Sequence, residues 1–76
     1  MTYEYKGYLF ANLYLEKRTS DNDYIINCFI DDGKYSYGPC PKEWERYFNS
    51  RYILEYNKLY LLVAELFYKH FNLKEK

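Results

Sequence analysis

Few side chains in this sequence are of a type that does chemistry, and their spacing keeps them apart. His70 is the single histidine of the chain. A general base needs a proton donor within reach and a group to orient it. No carboxylate stands at a useful helical spacing from His70, and no serine or cysteine is near it in sequence. Cys28 and Cys40 are the only two cysteines. With one distant histidine they do not make the paired spacing that zinc sites use. Asp21, Asp23, Asp31 and Asp32 lack the alternating ligands and closing glutamate of a calcium loop, and they read as turn formers. Gly33 and Gly38 fit neither phosphate-loop spacing. The chain is therefore expected to be non-catalytic, with no catalytic residue, no metal and no cofactor.

The remaining chemistry is aromatic. Twelve tyrosines, five phenylalanines and one tryptophan fill 24% of 76 residues. Such side chains bury large areas, and tyrosine adds a hydroxyl that tolerates water. A domain this small cannot enclose them all, so several rings belong at a surface or an interface. Charge narrows what such a surface binds. Eleven basic and eleven acidic residues give zero net charge. A nucleic-acid binder usually has a positive excess, because phosphate neutralisation supplies much of its affinity. A membrane-surface protein shows a basic cluster. Neither pattern is present.

The elements that position these rings follow from periodicity. One domain spanning residues 1–76 is expected, with a sheet over 3–37 and a helical part over 41–72. From Tyr8 onward the first stretch alternates as a strand does. Leu9, Ala11, Leu13 and Leu15 fall on one face; Tyr8, Phe10, Asn12, Tyr14 and Glu16 fall on the other. Gly7 interrupts the run and marks a bulge or bend. Residues 18–23 are a polar loop, and residues 24–30 a second strand rich in β-branched and aromatic residues. Asp32-Gly33 signals a tight hairpin turn, and residues 34–37 form a short third strand. Gly38-Pro39-Cys40-Pro41 ends the sheet.

A short helix follows over residues 42–48. It either breaks at Asn49-Ser50, with Ser50 capping the next helix, or bends and continues. In the long C-terminal helix Tyr52, Tyr56, Leu59, Val63, Leu66, His70 and Leu73 recur at heptad spacing. Ile53, Tyr60 and Phe67 widen that stripe, and Leu54, Leu61 and Tyr68 continue past it. A helix lying on a sheet needs one apolar stripe; this one carries nearly twice that. The expected fold class is thus α+β: a three-stranded antiparallel meander, a short helix, and a long helix packed on one sheet face. Either the short helix covers the surplus or a second molecule does; the expectation is a homodimer through Tyr52, Tyr56, Leu59, Val63 and Leu66. No membrane span is expected, because the uncharged run at 59–64 is far shorter than the roughly 20 residues a span requires. Residues 1–6 lack an apolar leader, so a reducing, cytoplasmic setting with free thiols is expected.

The functional reading is a protein-interaction module with a tyrosine-rich surface. If the face of Leu9 to Leu15 packs on the helices, Tyr8, Phe10 and Tyr14 point outward; Phe29 or Tyr24 from the second strand, and Tyr35 and Tyr37 from the third, are candidates to join them, and sequence leaves the register that decides which set does so open. Trp44, Arg46, Tyr47 and Arg51 form a second group of the types that dominate interface energies. An inhibitor or adaptor of a host protein, carried by a phage or mobile element, fits this size and composition by analogy. The alternative is a single-stranded nucleic acid or nucleotide stacked on sheet aromatics, with Lys6, Lys17, Arg18 and Lys34 meeting phosphates; zero net charge weighs against it. An enzyme is the weakest reading.

Overall fold

The computed structural model describes residues 1–48 and 56–76. The chain is α+β, with four antiparallel strands followed by helix. Strands β1 (Thr2–Tyr5), β2 (Tyr8–Lys17), β3 (Tyr24–Ile30) and β4 (Gly33–Tyr37) lie side by side in chain order. A 3-10 turn at Lys42–Trp44 leads into α1 (Glu45–Phe48), and α2 (Tyr56–His70) closes the fold. The expected break at Asn49-Ser50, the cap at Ser50 and the start of the long helix lie outside the described residues.

The sheet has one strand more than the alternation predicts. Gly7 does not bend a single strand. With Lys6 it makes the two-residue turn of a hairpin, at φ 51° and 88°, and Tyr5 pairs with Tyr8 across it. Left-handed φ at both central positions matches the right-handed twist of the strands. Glycine has a second reason to be here: a Cβ on Gly7 would lie 2.7 Å from the Cβ of Lys76. At the other hairpin the turn is Asp31-Asp32, because Gly33 already pairs with Ile30. The left-handed residue is Asp31 (φ 53°), one position before the Asp-Gly pair that the sequence signals.

Strand β2 contains the fold's main irregularity. Ala11 pairs with Phe29, but the next partners are Tyr14 and Asn27. Asn12 and Leu13 thus stand opposite Cys28 alone, which is a β-bulge. Asn12 takes φ 54°, a conformation asparagine tolerates better than most residues. An extra residue reverses the alternation. Before the bulge Tyr8 and Phe10 face the helix; after it Leu13 and Leu15 do. Phe10 is completely buried, and Leu9 is 45% exposed. The expected assignment of faces therefore holds for the second half of β2 and is inverted in the first.

The core lies between this face of the sheet and α2. Phe10, Ile26, Cys28 and Ile30 meet Leu59, Tyr60, Val63, Ala64 and Phe67. The helix stripe centres on Tyr60, Ala64 and Phe67 rather than on the heptad positions. Tyr56 is 40% exposed, Leu66 is half-buried and His70 is exposed. Aromatic edges join the layers: Tyr35 meets Phe71 at 5.0 Å, and Tyr37 meets His70 at 4.7 Å between ring centres. Among the described residues no helix is long and apolar enough to cross a membrane.

Candidate binding face

The sheet surface turned away from α2 is built by the residues that alternate with the core set. Thr2 and Glu4 come from β1, Leu9, Ala11, Tyr14 and Glu16 from β2, Ile25, Asn27 and Phe29 from β3, and Lys34 and Ser36 from β4. The registers place Ala11, Phe29 and Lys34 in one cross-strand row, and Tyr14, Asn27 and Ser36 in the next. Leu9 and Tyr14 are 45% and 41% exposed; Ala11, Ile25 and Phe29 are half-buried beside them. The Lys34 ammonium stands 5.9 Å from the Tyr14 ring centre.

A polar row crosses this face. Asn27 is 1% exposed although it points away from the core. Its amide nitrogen donates to the Glu16 carboxylate at 3.3 Å, and its carbonyl oxygen accepts from the Ser36 hydroxyl at 2.6 Å. A buried amide is costly unless it is bonded on both sides, so the row holds Glu16, Asn27 and Ser36 in place across three strands. Leu9, Ala11 and Phe29 lie on one side of it.

The sequence-predicted site is divided by this geometry. Tyr14 alone of the expected sheet set faces outward. Phe10 is in the core. Tyr8, Tyr35 and Tyr37 are half-buried on the helix side, because the bulge and the β3–β4 register put them there. The Tyr8 hydroxyl donates to the Lys74 carbonyl at 2.5 Å, and its ring meets Tyr68 edge-on. Trp44 and Tyr47 pack against the core cluster. Arg46 donates to the Tyr47 hydroxyl at 3.0 Å and stacks 4.9 Å from its ring, with Lys58 5.5 Å away. These three do gather, on the helix side and not beside Tyr14. Leu59 and Val63, expected in a dimer interface, are 4% and 0% exposed and belong to this chain's own core. Arg51 and Tyr52 lie outside the described residues. Alternation alone misplaced Leu9 and Ala11 and left Phe29 open. The one warning in the sequence was Asn12, a poor strand former inside a ten-residue strand.

The titratable groups offer little reactivity. Cys28 is buried under the bulge, its sulfur donating to the Ala11 carbonyl at 3.4 Å. Burial pushes its thiol up to about 11, so it carries no thiolate at neutral pH. Among the described residues no three His, Cys, Asp or Glu side chains gather as a metal site. At the hairpin end Asp31 accepts from the Leu9 amide at 3.0 Å and is paired with Lys76. The Lys76 hydrogen bond, helped by that amide, holds the carboxyl below its ordinary range. Lys76 is raised for the same reason.

Set against known protein families, curated proteins and solved structures, the chain matches none.

Proposed function

We propose that this chain is a non-catalytic protein-binding module, an adaptor or inhibitor, whose partner docks on the outer sheet face around Leu9, Tyr14 and Phe29. The observation that carries the reading is the exposure of Leu9 and Tyr14, 45% and 41%, on a surface stiffened by the Glu16–Asn27–Ser36 row. An exposed apolar patch rimmed by polar groups marks an interaction site. A tyrosine at its centre offers a large contact area and a hydroxyl with little entropy to lose. The row supplies polar groups that fix orientation. The platform for stacking bases, by contrast, has lost Tyr8, Phe10, Tyr35 and Tyr37 to the helix side, leaving Tyr14 and Phe29.

The test is capture of a partner from the source cell by tagged protein and by three variants. Tyr14→Ala and Leu9→Glu are expected to lose the partner while keeping the wild-type circular dichroism spectrum. Trp44→Ala is expected to retain it. Loss with Trp44→Ala and retention with the other two would move the site to the helix side and reject this face.

A further inference from the structure

We propose that the corner between the rings of Tyr5 and Tyr68 is a binding site for a trimethylammonium group, and that the chain's own Lys6 fills it when no such ligand is bound. The corner lies on the helix side, at the β1–β2 turn, and stands apart from docking on the outer sheet face.

Two elements build it. Tyr5 is the last residue of β1, and its ring stands edge-on to the buried Phe10 at 6.4 Å. Tyr68 comes from the last turn of α2. The two ring centres are 5.8 Å apart and their planes cross at 84°, so they make two walls at a right angle. Tyr8 braces Tyr68 edge-on at 6.4 Å and is itself fixed by its hydroxyl's bond to the Lys74 carbonyl. Walls set before a ligand arrives lower the cost of binding it. Both rings are half-buried, so part of each stays in reach of solvent. Tyr47 and Lys58, which flank residues 49–55 in sequence, meet near the opposite end of α2, about 15 Å from Tyr68 along its axis.

Lys6 shows what the corner accepts. Its ammonium stands over both rings, 4.5 Å from the centre of Tyr68 and 5.6 Å from that of Tyr5. There the negative ring faces attract a cation. Among the described residues the ion pairs are Arg18–Asp21 and Lys76–Asp31, and the Lys6 ammonium has no carboxylate partner. The neighbouring cation differs. Lys76 lies 4.6 Å from the Tyr8 ring centre, but Asp31 and the bond from its amide to the Lys6 carbonyl tie it down.

A corner that holds its cation by ring faces alone selects among cations. A primary ammonium is strongly hydrated and carries three donors that seek acceptors. A trimethylammonium has no N–H to satisfy, and aromatic faces are the usual means of recognising it. Lys6 is exposed on a two-residue turn, so its side chain can leave without disturbing the core. It is a tethered competitor, and it weakens the apparent affinity by the fraction of time it fills the corner.

The test is a titration of the intact chain at constant ionic strength, following the Tyr5 and Tyr68 ring protons by nuclear magnetic resonance. Choline is expected to shift both rings, and its neutral analogue, with carbon in place of nitrogen, neither. Lys6→Asn keeps a residue suited to the left-handed turn and is expected to bind choline about fivefold more tightly. Tyr68→Leu is expected to lose binding. A short peptide carrying trimethyl-lysine, run beside choline, gives the source of the group. Tighter binding of the peptide points to a methylated protein and tighter binding of choline to a small molecule, and either order upholds the corner. Four results would each overturn it: no shift with choline or peptide in wild type and Lys6→Asn alike, equal shifts with the neutral analogue, no gain in Lys6→Asn, or binding retained by a folded Tyr68→Leu. If Tyr68→Leu fails to fold by circular dichroism, the neutral analogue and Lys6→Asn decide the matter.

Discussion

Tyr60 does with one oxygen what a neighbouring strand does with its backbone. Its hydroxyl accepts from the Leu13 amide and donates to the Met1 carbonyl, both at 3.2 Å. It stands where β1 stops covering β2, and burial raises its ionisation above the ordinary tyrosine range. Tyr60→Phe keeps the ring and removes both bonds. The expected cost is about 1–2 kcal/mol, the usual penalty for stranding a partly buried donor, read as a lower urea midpoint with an unchanged slope. An unchanged midpoint would mean that water replaces the hydroxyl. Asp31 makes a prediction in pH. Its carboxyl is held below its unfolded value, so its contribution is present above the ordinary carboxylate range and is lost as pH falls through the folded value. Lys76 is raised, so its share is lost on the alkaline side. The contact between residue 76 and the Lys6-Gly7 turn should therefore loosen at both extremes. Nuclear magnetic resonance shifts of the Gly7 and Leu9 amides would follow it, and Asp31→Asn should abolish the acidic transition.

At the scale of elements the bulge decides which residues become surface. Deleting Asn12 would restore unbroken alternation and force either Phe10 or the Leu13–Leu15 pair out of the core, since a one-residue slip turns every later side chain over. That variant is expected to lose its cooperative thermal transition. Asn12→Gly should be close to neutral, while Asn12→Val should cost about 1–2 kcal/mol for a β-branched residue held at positive φ. Equal stability of the two substitutions would show that the bulge does not depend on the left-handed residue. This element also marks how far the sequence could be read. Strand and helix periods gave the α+β class, the antiparallel order of β2 to β4 and the long helix. They could not give the phase of β2, because both of its faces are apolar there: Leu9 and Ala11 are as plausible inside as Tyr8 and Phe10. The helix posed the same difficulty. Leu59 and Val63 fit both the heptad stripe and the observed one, and only packing against Phe10 and Ile26 selects Tyr60, Ala64 and Phe67. The aromatic face read from the sequence shrank to Tyr14 and Phe29 for this reason, while the row through Asn27 needed a register that no local pattern supplies.

For the whole molecule the governing quantity is size. A chain of 76 residues with one core holds a margin of only about 3–5 kcal/mol over its conformational entropy. Phe67 is fully buried between Tyr37 and Phe71, and Phe67→Ala should cost about 3–5 kcal/mol. That equals the margin, so the variant is expected to be largely unfolded at room temperature by circular dichroism.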